Sequence, residues 1–177
     1  MKKLVSAFVA AAIVALSVPA IAQKTAGNVV DDNTVNASVK AALLEAKGVP
    51  STPIVAATYK GIVLLSGFVE TQKQKDDAGK AAAGVSGAVK VHNALAVQPE
   101  NKMGAKLDDT VTTSKVKAAL LDDKDVKSGQ INVETKNGVV SLGGFVTGEK
   151  VKTRAVQVAK GVSGVKSVVD AMYVKPN

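Results

Sequence analysis

Beyond residue 30, apolar residues recur first with a helical period, then in two strand-like runs, then with a helical period again, and this order occurs twice. Each copy opens with a helix that we expect to begin after Asp32 or Asp109, because aspartate is a good helix-capping residue. The apolar stripe that each first helix should bury comprises Val35, Val39, Ala42 and Leu43 in the first copy and Val116, Ala119 and Leu120 in the second.

A hairpin follows each first helix. Its turns are Lys60-Gly61 and Asn137-Gly138, and Asn-Gly between apolar-rich strands is a strong hairpin signal because both turn residues need positive φ. The predicted strands are Ile54–Tyr59 with Ile62–Val69, and Ile131–Lys136 with Val139–Val146.

A second helix and a last strand complete each copy. The helices are predicted over Gln72–Ala83 and Glu149–Lys160, and the strands over Val89–Val97 and Val165–Val174. The order α-β-β-α-β predicts an α+β fold, in which each copy forms a three-stranded mixed sheet with both helices on one face.

The two copies are related by a constant offset of 77 residues. From Val39 to Pro99, 29 of 61 positions are identical to their counterparts without a gap. Such a repeat of several elements indicates a domain duplication. We therefore predict a first domain over residues 31–97, a polar linker over 98–106 and a second domain over 107–177.

The N-terminal segment has the pattern of a secretion signal. Lys2 and Lys3 precede an uncharged apolar run, and Ala20-Ile21-Ala22 supplies small residues at the expected cleavage site. We predict a signal peptide over residues 1–22, cleavage between Ala22 and Gln23, a loose tail over 23–30 and a periplasmic product. A membrane anchor is the less favoured alternative, because the run is shorter than the roughly 20 residues that span a bilayer.

Charge is unevenly divided between the copies. The formal net charge is +8, and it becomes +6 when Lys2 and Lys3 leave with the signal. Residues 31–100 hold seven lysines and seven acidic residues, whereas residues 101–177 hold thirteen basic and eight acidic residues. A basic second half in an exported protein points to anionic lipid or acidic polymer before nucleic acid.

The repeated elements carry a resemblance to a known family. The Val-Lys-Ala-Ala-Leu-Leu helix, the strand ending in Gly-Phe-Val and the Gly-Val-Ser-Gly turn resemble tandem BON domains, named for bacterial osmotically inducible and nodulation proteins. The resemblance implies a non-enzymatic periplasmic stress protein that maintains the envelope, associates with phospholipid surfaces and gives chaperone-like help to other exported proteins. The first copy departs from the family pattern at Ala88, where the turn motif usually has valine.

Reactive groups are scarce. The chain has no cysteine and one histidine, His92, whose counterpart is Val169, so we interpret it as a strand or surface histidine. Asp122, Asp123 and Asp125 lack the spacing of a calcium loop and indicate a solvated helix end. We expect no catalytic residues, no metal site, no cofactor and no small-molecule substrate. Nucleic-acid binding is disfavoured because so few aromatic residues accompany the basic ones.

Strand alternation gives the first sheet two apolar faces. Ile54, Ala56, Val63 and Leu65 should face the helices. The opposite face is also apolar, and its candidate docking residues are Tyr59, Ile62, Leu64 and Phe68. Such a face is either covered by the second domain or the tail, or it docks unfolded exported proteins or lipid.

The second helix of the second copy carries the other candidate surface. Its basic residues, which we expect to contact anionic phospholipid at the envelope, are Lys150, Lys152, Arg154 and Lys160. An ordinary solubilising helix face is the first alternative. The second is a structural module that binds peptidoglycan or another anionic wall polymer.

Overall fold

The computed structural model describes residues 31–50, 54–99, 105–126 and 128–176. The predicted signal peptide, its cleavage site at Ala22 and Gln23, and the predicted tail lie outside the described residues. The helices are α1 (Asp32–Glu45), α2 (Gln72–Ala83), α3 (Ala105–Asp122) and α4 (Glu149–Lys160). The strands are β1 (Ile54–Tyr59), β2 (Ile62–Val69), β3 (Lys90–Asn93), β4 (Ala96–Val97), β5 (Asn132–Lys136), β6 (Val139–Val146) and β7 (Ser167–Val174).

Both copies share one topology, with the second hairpin strand at the centre of the sheet. In the first copy β1 pairs antiparallel with β2, and β3 and β4 pair parallel with its other edge. In the second copy β5, β6 and β7 repeat this arrangement as a three-stranded sheet. The predicted α+β fold of two repeated units is confirmed.

Each copy buries its helices on one face of its sheet. In the first copy the helical residues Val35, Val39 and Ala78 pack against Val63 and Leu65 of β2. The second core has the same plan, with Val116, Leu120, Ala155 and Ala159 from the helices and Val133, Val140 and Leu142 from the strands. The first-helix stripes lie where predicted, with buried positions that recur every four residues, whereas Ala42 and Ala119 of the predicted stripes are only half-buried.

Asp32 and Asp109 have a different role from the predicted helix capping. The carboxylate of Asp32 accepts hydrogen bonds from the backbone N–H groups of Lys60 (2.6 Å) and Gly61 (2.8 Å). Asp109 accepts from Asn137 (2.7 Å) and Gly138 (2.8 Å) in the same way. Each aspartate therefore ties its helix to the turn of the following hairpin.

Helix α3 begins earlier than predicted. It begins at Ala105, inside the predicted linker and four residues before Asp109. The sequence after Gly104 contains alanine, lysine and leucine, which favour helix, and no residue that breaks one.

The last strand of the first copy is divided, whereas its counterpart β7 is continuous. Asn93 ends β3: its side-chain oxygen accepts a hydrogen bond from Leu95 N–H at 3.4 Å, and its amide nitrogen donates to the Lys75 carbonyl at 2.7 Å. A Cβ atom at Gly79 would lie 2.8 Å from that nitrogen. This glycine within α2 thus leaves room for the Asn93 side chain.

Within the described ranges, every helix is too short or too polar to cross a lipid bilayer.

Candidate functional site

The faces of the two sheets that carry no helices pack against each other. Strand β2 lies on β6, and Leu64 and Phe68 of β2 are buried between the sheets. Tyr59 and Ile62, the other two candidate docking residues, are half-buried. The structure therefore brings all four residues together on one face, and that face lies against the second domain.

Aromatic rings from both domains meet in this interface. The ring of Tyr59 lies 5.6 Å from that of Phe145, which lies 5.8 Å from that of Tyr173. Tyr173 in turn meets His92 edge-on at 5.2 Å. Contacts of this geometry add about 0.5–1.5 kcal/mol per pair to the burial of the rings. Both tyrosines of the chain are in this cluster.

The two central strands, β2 and β6, approach each other closely at one pair of equivalent positions. Ser66 of β2 and Gly143 of β6 are equivalent positions of the repeat, 77 residues apart, and a Cβ atom on Gly143 would overlap the Cβ and Oγ atoms of Ser66. The interface is therefore approximately self-complementary, as in a two-fold dimer. One of these two positions must be glycine for the sheets to approach this closely.

Charged residues surround the interface. The ammonium of Lys175 lies 5.1 Å from the ring centre of Tyr59, and that of Lys90 lies 5.9 Å from the ring centre of Tyr173. Lys136 pairs with Glu70 across the two domains at 4.0 Å. Partial burial, followed by the positive charge of Lys90, lowers the pKa of His92. The uncharged form of His92 is therefore favoured next to the lysines at the edge of the interface.

The four basic residues of helix α4 differ in whether they form ion pairs. Arg154 donates from Nε to Asp123 at 2.9 Å, and its Nη2 atom lies 2.8 Å from the same carboxylate. Lys152 lies 3.3 Å from Asp170 and 3.8 Å from Glu149. The carboxylates next to these two cations balance much of their positive charge.

Lys150 and Lys160 are different. Both side chains are exposed, and neither forms an ion pair within the described part of the chain. The candidate lipid surface therefore has two unpaired cations at opposite ends of α4 and two paired cations between them.

Asp123 is not the solvated residue that the sequence predicts. The Arg154 guanidinium beside it lowers the pKa of its carboxyl group. Its Oδ1 atom also accepts a hydrogen bond from Asp125 N–H at 3.1 Å. The sequence pattern missed this contact because Asp123 follows the end of α3, whereas Arg154 lies on α4, 31 residues away. Among the described residues, no group of three or more histidine, cysteine or acidic side chains could hold a metal ion.

Comparisons with known proteins agree with the repeat. The model of the BON domain family matches residues 31–99 and again residues 108–176. Osmotically-inducible protein Y of Escherichia coli is 43% identical over 151 residues, which is 84% of this chain and 75% of that protein. Outer membrane lipoprotein DolP of Haemophilus influenzae is 35% identical over 151 residues, 82% of this chain and 76% of the lipoprotein.

A solved structure also resembles the chain at a distance. It is the C-terminal domain of CdsD, a structural protein of the type III secretion system of Chlamydia trachomatis, with 18% sequence identity and a TM-score of 0.35. The likeness covers 84% of this chain and 69% of the CdsD chain. It is too distant to inform the arrangement of the two domains.

Proposed function

Because this chain belongs to the BON-domain family, with two BON domains in tandem, we propose that it is a non-catalytic envelope and osmotic-stress protein of the periplasm. Its similarity to an osmotically inducible protein and to an outer-membrane lipoprotein supports this role, as does the signal-like N-terminal sequence. We infer that it associates with anionic phospholipid surfaces through its second domain.

The observation that carries the lipid proposal is the difference between α2 and α4. Lys150 and Lys152 have counterparts in Lys73 and Lys75, but Arg154 stands in place of Asp77, and Lys160 in place of Ala83. Helix α4 is therefore the more cationic of two helices that otherwise occupy the same place in their domains.

The attraction to a membrane comes mainly from the unpaired cations. A basic residue near an anionic bilayer surface contributes about 1 kcal/mol, so Lys150 and Lys160 together contribute about 2 kcal/mol, roughly a 30-fold change in binding. Paired Lys152 and Arg154 contribute less, because their carboxylate partners are repelled by the same surface. Exposed aromatic residues are absent from the described face of α4, so the helix binds superficially.

Vesicle co-sedimentation tests this proposal. We expect the chain to bind vesicles with phosphatidylglycerol more tightly than neutral phosphatidylcholine vesicles, with the difference declining as salt is added. The variant Lys150→Glu/Lys160→Glu should lose most of that difference. Lys73→Glu is the matched control, because Lys73 is the counterpart of Lys150 on α2 and is paired with Asp77.

Two outcomes would reject the lipid proposal: equal binding to both kinds of vesicle, or unchanged binding by the double variant. Retention on purified sacculi, without vesicle binding, would favour the alternative function of an anionic wall-polymer module.

Chaperone-like binding of unfolded exported proteins is the second part of the proposed function. The apolar face with Leu64 and Phe68 is suited to such clients, but it lies against the second sheet. We therefore propose that clients bind only when the two sheets separate. A variant that opens the interface should suppress aggregation of an unfolded client more strongly than the wild type, and Leu64→Asp in that variant should abolish the gain. Equal activity of the open and closed forms would contradict this proposal.

A further inference from the structure

A polar pocket opens at one end of the second domain, near the C-terminal end of α4. It lies between the first turns of α3, the turn that joins β5 and β6, and the Gly-Val-Ser-Gly turn after α4, and its volume is about 310 Å³. That volume is at the lower end of the range found for small-molecule sites, roughly 300–1,000 Å³.

Hydrogen-bonding groups without partners line this pocket. Thr112 is only 5% exposed, and its hydroxyl forms no hydrogen bond with the described residues. The side-chain nitrogen of Asn137 is buried and also lacks a partner. Buried polar groups are nearly always hydrogen-bonded, so the unpartnered Asn137 nitrogen in this lining indicates a place for a ligand that accepts hydrogen bonds.

The pocket also holds cations. Lys115 and Lys166 line it, and neither forms an ion pair within the described ranges. Of the two acidic residues at the pocket, Asp109 already accepts two backbone N–H groups of the hairpin turn, whereas Asp108 is exposed. Lys115 and Lys166 are exposed like Asp108, so these exposed groups of the lining carry an excess of one positive charge.

The first domain provides an internal comparison, because it has the same fold with different residues at these places. At the equivalent positions, Val35 stands for Thr112, Ser38 for Lys115 and Val89 for Lys166. Val35 is fully buried in the first core. The fold thus forms with uncharged residues at all three places, so it does not require the threonine and the two lysines of the second domain.

We propose that this pocket binds the phosphoryl group of a small soluble ligand. A phosphoryl group offers three strong acceptor oxygens, which suits two lysines, the hydroxyls of Thr112 and Ser163, and the Asn137 amide better than a carboxylate with two oxygens. Because Thr112 is only 5% exposed, a ligand that binds its hydroxyl must enter the pocket. Val111 is the one exposed large apolar residue of the lining, so this end of the domain offers little to insert into a bilayer.

Nuclear magnetic resonance of the full chain tests the proposal, with inorganic phosphate as the probe at constant ionic strength. We expect saturable shifts of the backbone amide signals of Thr112, Asn137 and Gly164. The equivalent signals of the first domain should stay in place; they belong to Val35, Lys60 and Gly87.

Variants that carry the first domain's own residues provide the specific test. Lys115→Ser/Lys166→Val should weaken phosphate binding about tenfold or more, and Thr112→Val should weaken it severalfold. The same spectra show whether each variant is folded. Lys150→Glu, which reverses an unpaired cation at the opposite end of α4, should bind phosphate like the wild type, so the pocket and the lipid-binding proposal can fail separately.

Three results would overturn the phosphoryl site. They are shifts that grow linearly without saturation, equal shifts in both domains, and unchanged affinity in the Lys115→Ser/Lys166→Val variant. Shifts of the pocket signals with phosphatidylglycerol vesicles but not with phosphate would likewise reject a soluble ligand and assign this end of the domain to the membrane.

Discussion

Gly143→Ser is the most informative single substitution, because it places a serine on both central strands at the point where the two sheets meet. Gly143 does not have positive φ, so a serine there strains nothing within β6. Its Cβ atom, however, would overlap Ser66 of the facing strand, and both positions are buried. Overpacking of this kind costs about 1–3 kcal/mol, and a larger separation of the sheets would also weaken the ring contacts of Phe145.

The reversed pair is the matched control. In Ser66→Gly/Gly143→Ser the serine and the glycine exchange places across the approximate two-fold axis, so the close approach is restored. We expect the double variant to be more stable than Gly143→Ser. It should fall short of the wild type only by the roughly 0.5–1 kcal/mol that a glycine costs inside β2. The interaction energy between the two positions should therefore exceed about 1 kcal/mol.

Tyrosine fluorescence during urea unfolding is a suitable assay, because the chain has no tryptophan and its two tyrosines, Tyr59 and Tyr173, both lie in the interface. Gly143→Ser should change the native fluorescence and lower the free energy of unfolding, and the reversed pair should restore both. A Gly143→Ser protein with unchanged fluorescence and stability, or an equal cost with and without Ser66→Gly, would refute sheet-to-sheet packing at this point.

Two further predictions concern charged and titratable groups. Asp109→Asn should destabilise the second domain by about 1–3 kcal/mol in urea unfolding, because the carboxylate accepts two backbone hydrogen bonds from the hairpin turn; an unchanged midpoint would contradict that role. Burial lowers the pKa of His92 below its ordinary 6.5, so the unfolded chain takes up this proton at a higher pH than the folded chain does. The free energy of unfolding should therefore fall as the pH decreases through 6.5. Above that pH, His92 should contribute no change to the free energy of unfolding. His92→Val, with the residue of the second copy, should remove that part of the pH dependence; an identical pH profile would exclude His92 as its source.

Repetition made much of the fold predictable. Each helix, hairpin and last strand occurs twice at one offset, so a weak pattern in one copy, such as the alanine-rich α2, is supported by the stronger pattern of α4. The alternation of β2 likewise predicted that Leu64 and Phe68 share a face away from the helices.

Contacts between distant parts of the chain were not predictable in this way. Periodicity shows that a face is apolar but not what covers it, and the contact between Ser66 and Gly143 depends on how two finished sheets meet. The pairing of Arg154 with Asp123 and of Lys152 with Asp170 similarly joins residues from different elements. Comparison of the two copies contains one sign of the pocket that the sequence analysis did not use. The core position that is Val35 in the first copy is the polar residue Thr112 in the second.

Nuclear Overhauser contacts between the domains test the central claim most directly: the two sheets cover each other, and the outer surfaces remain for function. Contacts should appear between the rings of Tyr59 and Phe145, and between those of His92 and Tyr173, in the full chain in solution. If these contacts are missing and the two domains tumble independently, the face with Leu64 and Phe68 is open in the resting protein, and mutual covering of the two sheets is contradicted.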